Sequence, residues 1–333
     1  MIYLNRIIYL GYYFTNLDKV LFRRFSNYLI SNNGENRISL FFKIIYNSLR
    51  YNISILEYFQ FRFFEKTKLQ KLDWAGTGHM YEYQLRMNPK VSRDILDDKT
   101  KFYKAYHPFF VHKVADLVEL RHNPGLFKQL LDSRSGKLVL KTADGKCGKG
   151  VKIIETKCIF EETFLNEIEN DGFDLVEEFI IQHPDINRLS PSAVNTVRIF
   201  TQLTNDNQVE ILGCRLRISV NSSIDNLAAG NIAVELDELS GKATRAAVYS
   251  DITKEPVEFH PITKVKIVGF QVPMWRETVE MVKKAALFNT SNRSIGWDIV
   301  ITENGPGLIE GNHDWCKLLW QLPVNQGLKS LLS

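Results

Sequence analysis

"GWDIVITENGPGLIEGNHDW" (residues 296–315) reads as two short apolar strands around an Asn-Gly turn, yet it carries Asp298, Glu310 and Asn312. Successive side chains of a strand point to opposite faces. With "ENGPG" (303–307) as a five-residue loop, Thr302 faces Leu308, Val300 faces Glu310 and Asp298 faces Asn312, so the three polar groups project from one side. Trp297, Ile299, Ile301, Ile309 and Gly311 take the other side. That register needs a loop with an odd number of residues. Two carboxylates and an amide form the all-oxygen set that Mg²⁺ prefers, with a nucleotide phosphate and water completing the octahedron. Without a cation, two like charges this close repel.

Upstream, "LVLKTADGKCGKGVKII" (138–154) is a strand ending in Lys141, a loop with Gly145, Lys146, Gly148, Lys149 and Gly150, and a second strand. Glycines let backbone N–H groups approach a polyphosphate, and lysines neutralise it. The GxxxxGK[ST] spacing is absent and the loop leads into a strand, which excludes a P-loop. A solvated turn is the other reading of such a loop. "DLVEEFI" (174–180) puts Glu177 and Glu178 inside an apolar strand, where one of them faces inward or sits at a strand end. Arg198, Arg215 and Arg217 also lie in strand patterns. The last two share a face, and hairpin pairing would bring Arg198 alongside. Converging guanidiniums suit carboxylate or phosphate recognition; each alone reads first as a structural ion-pair partner.

The chain has 333 residues, 44% of them hydrophobic, enough for a substantial core and two or three subdomains. Its four cysteines are scattered without metal-ligand spacing, which points to free thiols and a cytoplasmic setting. The net charge of +4 is uneven: residues 1–64 hold eight Lys/Arg against three Asp/Glu, and 17 of the 39 aromatics. "MIYLNRIIYLGYYF" is broken by Asn5 and Arg6, unlike a secretory signal, and no apolar run is long enough to span a bilayer. "LDKVLFRRFSNYLI" (17–30), "ISLFFKIIYNSL" (38–49) and "SILEYFQFRFFEK" (54–66) predict helices more apolar than one buried face requires. They either pack on the body of the protein or rest a basic, aromatic surface on anionic lipid or a membrane-bound partner. Beyond residue 96 the texture turns to strands at 137–141, 150–155, 174–180, 195–203, 208–220 and 231–237. Helices are predicted near 99–106, 112–121, 160–169 and 275–288, with Glu280 and Lys284 as an i,i+4 pair. This pattern is an α+β or mixed α/β body.

Taken in order, "DDKTKFYK", "LVLKTADGKCGKGV", "LVEEFIIQHP", "NTVRIFT", "DNLAAGNIAVELDELSG" and "GWDIVITENGPGLIEGNHDW" resemble the ATP-grasp superfamily, in particular its sugar-transfer-associated branch. The resemblance covers roughly residues 95–328. It implies two α+β subdomains clasping ATP, 96–180 and 181–333, behind a helical region 1–95. It implies that Lys99 and Lys141 hold the ATP phosphates, that residues 144–150 cover them, and that Glu177, Glu178, Phe179 and Ile180 grip adenine. His183 or Asp185 falls near the ribose, Asp298, Glu310 and Asn312 on Mg²⁺ and phosphate, and Arg198 and Arg217 in the phosphoryl-transfer zone. Thr142 and Asn231 depart from the family's usual proline and glycine without removing a charge. The implied activity is an ATP-dependent carboxylate–amine ligase of surface-polysaccharide synthesis, with ATP and Mg²⁺ as cofactors, a sugar-linked carboxylate and an amine as substrates, and no nucleic acid. A phosphotransferase and a non-catalytic nucleotide-binding assembly factor are the alternatives.

Overall fold

The computed structural model describes residues 2–145 and 150–332. Helices lead the chain: α1 (Ile2–Thr15), α2 (Lys19–Asn33), α3 (Arg37–Tyr51), α4 (Ile55–Gln60), α5 (Lys68–Leu72), α6 (Thr77–Met87) and α7 (Lys90–Asp97). Short polar side chains start them: Asp18 accepts from Val20 N at 2.9 Å, and Asn36 from Ile38 N at 2.9 Å. Gly34 and Asn52 end α2 and α3 in the left-handed conformation. The helix predicted over 54–66 stops at Gln60. Phe61 and Phe63 are fully buried, and the Phe61 ring lies 4.4 Å from that of Trp74, so packing in a tight turn overrides helical periodicity. Val20, one of the apolar residues of the 17–30 segment, points outward at 77% exposure.

The first sheet is antiparallel with strand order β1-β4-β2-β3: β1 (Val114–Asp116), β2 (Lys137–Lys141), β3 (Val151–Glu155) and β4 (Leu175–Glu178). The helix predicted over 112–121 is therefore a strand followed by α9 (Leu117–His122). Asp116 ends the strand and caps the helix, accepting from Glu119 N at 2.7 Å. With α10 (Pro124–Leu131) and α11 (Glu161–Asn170), α9 covers one face of this sheet around Phe127, Leu138, Phe164 and Val176.

The second sheet has the order β7-β6-β5-β8-β9: β5 (Val197–Leu203), β6 (Val209–Ile218), β7 (Ile232–Leu236), β8 (Ser294–Thr302) and β9 (Gly305–Asn312). Its inner face buries Ile199, Leu216, Val234, Trp297 and Ile299 against α8 (Lys99–Tyr106) and α13 (Trp275–Phe288). On α13, Glu280 pairs with Arg276 at 3.0 Å rather than with Lys284. In the chain, α12 (Pro184–Leu189) falls between β4 and β5 and so links the sheets, and α14 (Lys317–Gln321) follows β9.

The β8–β9 hairpin differs from the predicted register. Its loop is the two-residue Glu303–Asn304, since Thr302 pairs with Gly305. Ile299 pairs with Leu308 but Asp298 with Glu310, which leaves Ile309 as an extra residue in a bulge. That residue restores the parity an even loop would destroy. Asp298 and Glu310 come directly opposite each other, and Asn312 follows two positions on, on the same face.

Candidate functional site

A cavity of about 1120 Å³ lies between the two sheets. The first sheet contributes the side opposite its helices. Val139 pairs with Ile153 on one neighbour and with Glu177 on the other, and Lys141 with Val151, so these residues share the cavity face. Val151 and Ile153 are 41% and 53% exposed. Apolar side chains left open inside a cleft are a surface for a flat apolar ligand such as a nucleobase. The sequence pattern marked β3 as a strand but did not separate this wall from an ordinary core face.

Lys141 Nζ lies 2.7 Å from Glu177 Oε2, and His112 Nε2 lies 3.2 Å from the same oxygen. Burial opposes ionisation of Glu177, yet Lys141 and His112 together hold its carboxyl down at about 2. Glu177 is thus the inward member of the Glu177–Glu178 pair, while Glu178 meets the Lys113 amide at 3.4 Å. The segment 179–182 continues along the cavity rim, including Phe179 and Ile180. His183 and Asp185 do not line it. His183 caps α12, accepting from Asp185 N at 3.2 Å, and Asp185 pairs outward with Arg188 at 3.4 Å.

Lys99 opens α8 with its amide bonded to Ala143 O at 2.9 Å and its ammonium to the carbonyl of Gly145. Burial lowers its affinity for a proton, with Glu310 opposing and Lys141 reinforcing the shift. Lys99, coupled to Glu310, and Lys141, held by Glu177, line the same cavity as the carboxylates of the second sheet. Gly150 has φ +71°, and a Cβ there would come within 2.2 Å of Thr142 Oγ1, so the loop closes on glycine for steric reasons. Lys146, Gly148 and Lys149 lie outside the described residues.

On the second sheet, strand register aligns a row of charge: Glu310 opposite Asp298, Asp298 opposite Arg198, Arg198 opposite Arg215 and Arg215 opposite Glu235. Arg198 grips both oxygens of Asp298 through Nε and Nη2, the latter at 2.7 Å, and Arg217 Nη1 adds a third bond at 2.9 Å. Burial would push Asp298 up, but the two guanidiniums hold it well below the carboxylate range. Arg217 also holds Asp225 at 2.6 Å, a partner the sequence pattern did not reveal. Arg215 turns away to the Trp320 and Cys214 carbonyls. Among the described residues, no guanidinium lies within bonding distance of Glu310. Its Oε1 accepts from Asn312 Nδ2 at 3.2 Å, and burial together with Asp298 raises its carboxyl.

This donor set fits a divalent cation on one observation in particular: Glu310 is a half-buried carboxyl beside a second carboxylate and, among the described residues, has no guanidinium or ammonium within bonding distance. Asp298 spends three of its roughly four acceptor positions on arginines, leaving Glu310 and Asn312 as the freer oxygen donors. No three His, Cys, Asp or Glu side chains converge as a metal site by themselves among the described residues. An amide, phosphate oxygens and water would complete the shell.

A cleft between two antiparallel sheets, with lysines and a carboxylate–amide–arginine row lining it, is the arrangement of the ATP-grasp fold. Residues 79–333 match the family described as sugar-transfer associated ATP-grasp, and the chain belongs to that family. No curated protein matches it. Similar solved structures include biotin carboxylase from Campylobacter jejuni as a β-γ-ATP complex, with 13% identity and a TM-score of 0.43, covering 71% of this chain and 46% of that one. D-alanyl-alanine synthetase A from Vibrio cholerae is 12% identical with a TM-score of 0.41, covering 71% of this chain and 61% of that one. N5-carboxyaminoimidazole synthetase from Staphylococcus aureus is 10% identical with a TM-score of 0.39, covering 70% and 52%. The chain spans about half the length of several solved structures that it matches.

Proposed function

We propose that the protein is an ATP-dependent carboxylate–amine ligase acting in surface-polysaccharide synthesis, on a uronic-acid-type or other sugar-linked carboxylate and an amino acid or other amine. The observation that carries this reading is the charge row Glu310–Asp298–Arg198 with Arg217, lining one cavity with Lys99 and Lys141. The acceptor carboxylate oxygen attacks the γ-phosphorus and ADP leaves; the amine nitrogen then attacks the acyl carbon, forming the C–N bond as inorganic phosphate leaves and the nitrogen gives up a proton. Bound Mg²⁺ would offset triphosphate charge, held by Glu310 and Asn312 beside Asp298. Lys99 and Lys141 neutralise phosphate oxygens. Arg198 and Arg217, fixed by Asp298, present fixed positive charge to the transferring group. The apolar wall of Val151 and Ile153 seats the base, with backbone groups of 177–180 at its edge.

The cavity needs no protein nucleophile, and the reaction stays within the groups that line it. A panel of amino acids and uronic acids with Mg-ATP, read by mass spectrometry, tests the proposal. ADP release requiring both a carboxylate and an amine, with the amide mass detected, is expected. ADP formed with a hydroxyl acceptor and no amine would instead make it a phosphotransferase. Full biological activity of an Asp298→Ala/Glu310→Ala variant would leave only a nucleotide-binding assembly role. The setting we infer is the cytoplasm, at the inner face of the membrane, with residues 1–64 as the contact region.

A further inference from the structure

The N-terminal helices bury one face and leave the opposite face apolar as well. On α1, Arg6, Tyr9, Leu10 and Tyr13 recur at helical spacing toward the body, while Ile7, Ile8 and Tyr12 on the other side are 60–61% exposed and Phe14 is 42% exposed. On α3, Leu40, Ile44, Asn47 and Ser48 are buried, whereas Ile38, Phe42 and Tyr46, at i, i+4 and i+8, are 70%, 66% and 60% exposed, with Phe41 beside them at 46%. The two helices adjoin, since Arg6 Nη1 donates to the Leu49 and Arg50 carbonyls at 3.0 Å. Nothing in the described chain covers these outer faces, and water does not favour contiguous apolar surface.

The charge around them is one-sided. Residues 1–50 carry seven Lys/Arg and two Asp/Glu. Asp18 serves as the α2 cap and Glu35 is taken by Lys43 at 2.7 Å, so neither acid offsets Lys19, Arg23, Arg37 and Arg50 on the outside. Aliphatic and aromatic side chains ringed by basic ones match the boundary of an anionic bilayer, with rings among the headgroups and cations on the phosphates. The fourteen residues of α1 reach about 21 Å, short of the roughly 30 Å hydrocarbon core, and no described helix is long and apolar enough to cross. The helices would lie on the surface.

We propose that the outer faces of α1 and α3 dock the protein on an anionic phospholipid bilayer. Helix α2 links this surface to the site: Val20 and Arg23 are exposed, while Leu21, Arg24 and Phe25 line the cavity, where Arg24 holds Asp251 at 2.9 Å. A docked molecule therefore has its cleft rim close to the lipid surface. This docking does not depend on which reaction the cleft performs.

The full-length protein is floated with protein-free vesicles of phosphatidylcholine, with and without 30 mol% phosphatidylglycerol, at low and high salt. Binding to the anionic vesicles and its loss in high salt are expected. Ile38→Ser/Phe42→Ser should weaken it at least tenfold, by removal of inserted side chains. Arg23→Glu/Arg37→Glu should weaken it at least 25-fold, each basic residue contributing about fivefold. All these side chains are exposed, so the melting temperature and Mg-nucleotide affinity should stay at wild-type values, separating failure of docking from failure of the fold. Absence of binding to anionic vesicles, or equal binding by all three proteins, overturns the proposal. So does retention on native membranes but not on protein-free vesicles, which assigns the face to a membrane protein. A solution dimer abolished by Ile38→Ser/Phe42→Ser overturns it too, assigning the face to a second copy.

Discussion

Replacing Glu310 with glutamine should stabilise the magnesium-free protein while weakening its hold on Mg-nucleotide. Glu310 sits directly opposite Asp298 in the β8–β9 ladder, and all three guanidinium bonds on that ladder go to Asp298. Glu310 is left with one amide donor, Asn312 Nδ2 at 3.2 Å. Like charges facing each other across a strand pair cost up to about 1 kcal/mol. An amide side chain in the same place removes the repulsion and offers Asp298 a donor worth roughly another 1 kcal/mol. The expected gain is therefore about 1–2 kcal/mol, or roughly 1.5–3 °C in Tm for a chain of 333 residues. The sign with pH follows from the raised carboxyl of Glu310. Its ionisation penalty is complete above the raised folded value, shrinks as pH falls through it, and is gone below the ordinary value of 4.5. The advantage of Glu310→Gln should thus be absent at pH 4 and grow as pH rises above 4.5. Adding Mg²⁺ with a non-hydrolysable ATP analogue should reverse the order, because ligand at a hundred times its Kd stabilises the wild type by about 2.7 kcal/mol and the variant by less. Differential scanning fluorimetry across pH, with and without Mg-nucleotide, reads all three effects. A variant that melts below wild type at pH 8 without magnesium, or a gain that persists at pH 4, refutes the reasoning.

Glu177→Gln should act in the opposite sense. With the carboxyl held at about 2, its ion pairing contributes roughly 3 kcal/mol that is present above 4.5 and lost as pH falls toward 2, so urea midpoints of variant and wild type should converge on acidification. Lys99→Ala should weaken Mg-nucleotide binding about ten- to a hundredfold by calorimetry, the value of a charge-assisted bond, with little change in Tm. Gly307→Ala should destabilise by about 1–3 kcal/mol in urea titration, since a Cβ there would stand 2.4 Å from Val111 Cγ1 and 2.7 Å from its backbone nitrogen; an unchanged midpoint would show that the segment before β1 yields freely.

The strands of the second sheet were readable because β-branched runs alternate with polar residues between turn residues, a local pattern that survives burial. The helix predicted over 54–66 was misread because Phe61 and Phe63, three and four residues beyond Tyr58 and Phe59, fit a helix and a packed turn equally well, and packing on Trp74 and Tyr51 decides between them. Strand β1 was missed for a related reason: three residues carry too little periodicity, and their strand character comes from pairing with β4 across about 60 residues of chain. His112 and Asp225, which hold Glu177 and Arg217, gave no local signal because their roles exist only through long-range contact.

In the hairpin that carries Asp298, Glu310 and Asn312, the sequence by itself determined that three oxygen-bearing side chains sit at two-residue spacings among apolar alternates, which places them on one face once the register is right. It did not determine that register. The loop takes two residues, not five, and a bulge at Ile309 supplies the missing one, while Gly311 lets the hairpin approach Phe102 and Leu96 closely. Only the tertiary structure decided that Arg198 and Arg217 converge on Asp298 and not on Glu310. Strand neighbours are fixed by the sheet order, and with them the division of this carboxylate pair into one neutralised member and one left for a cation.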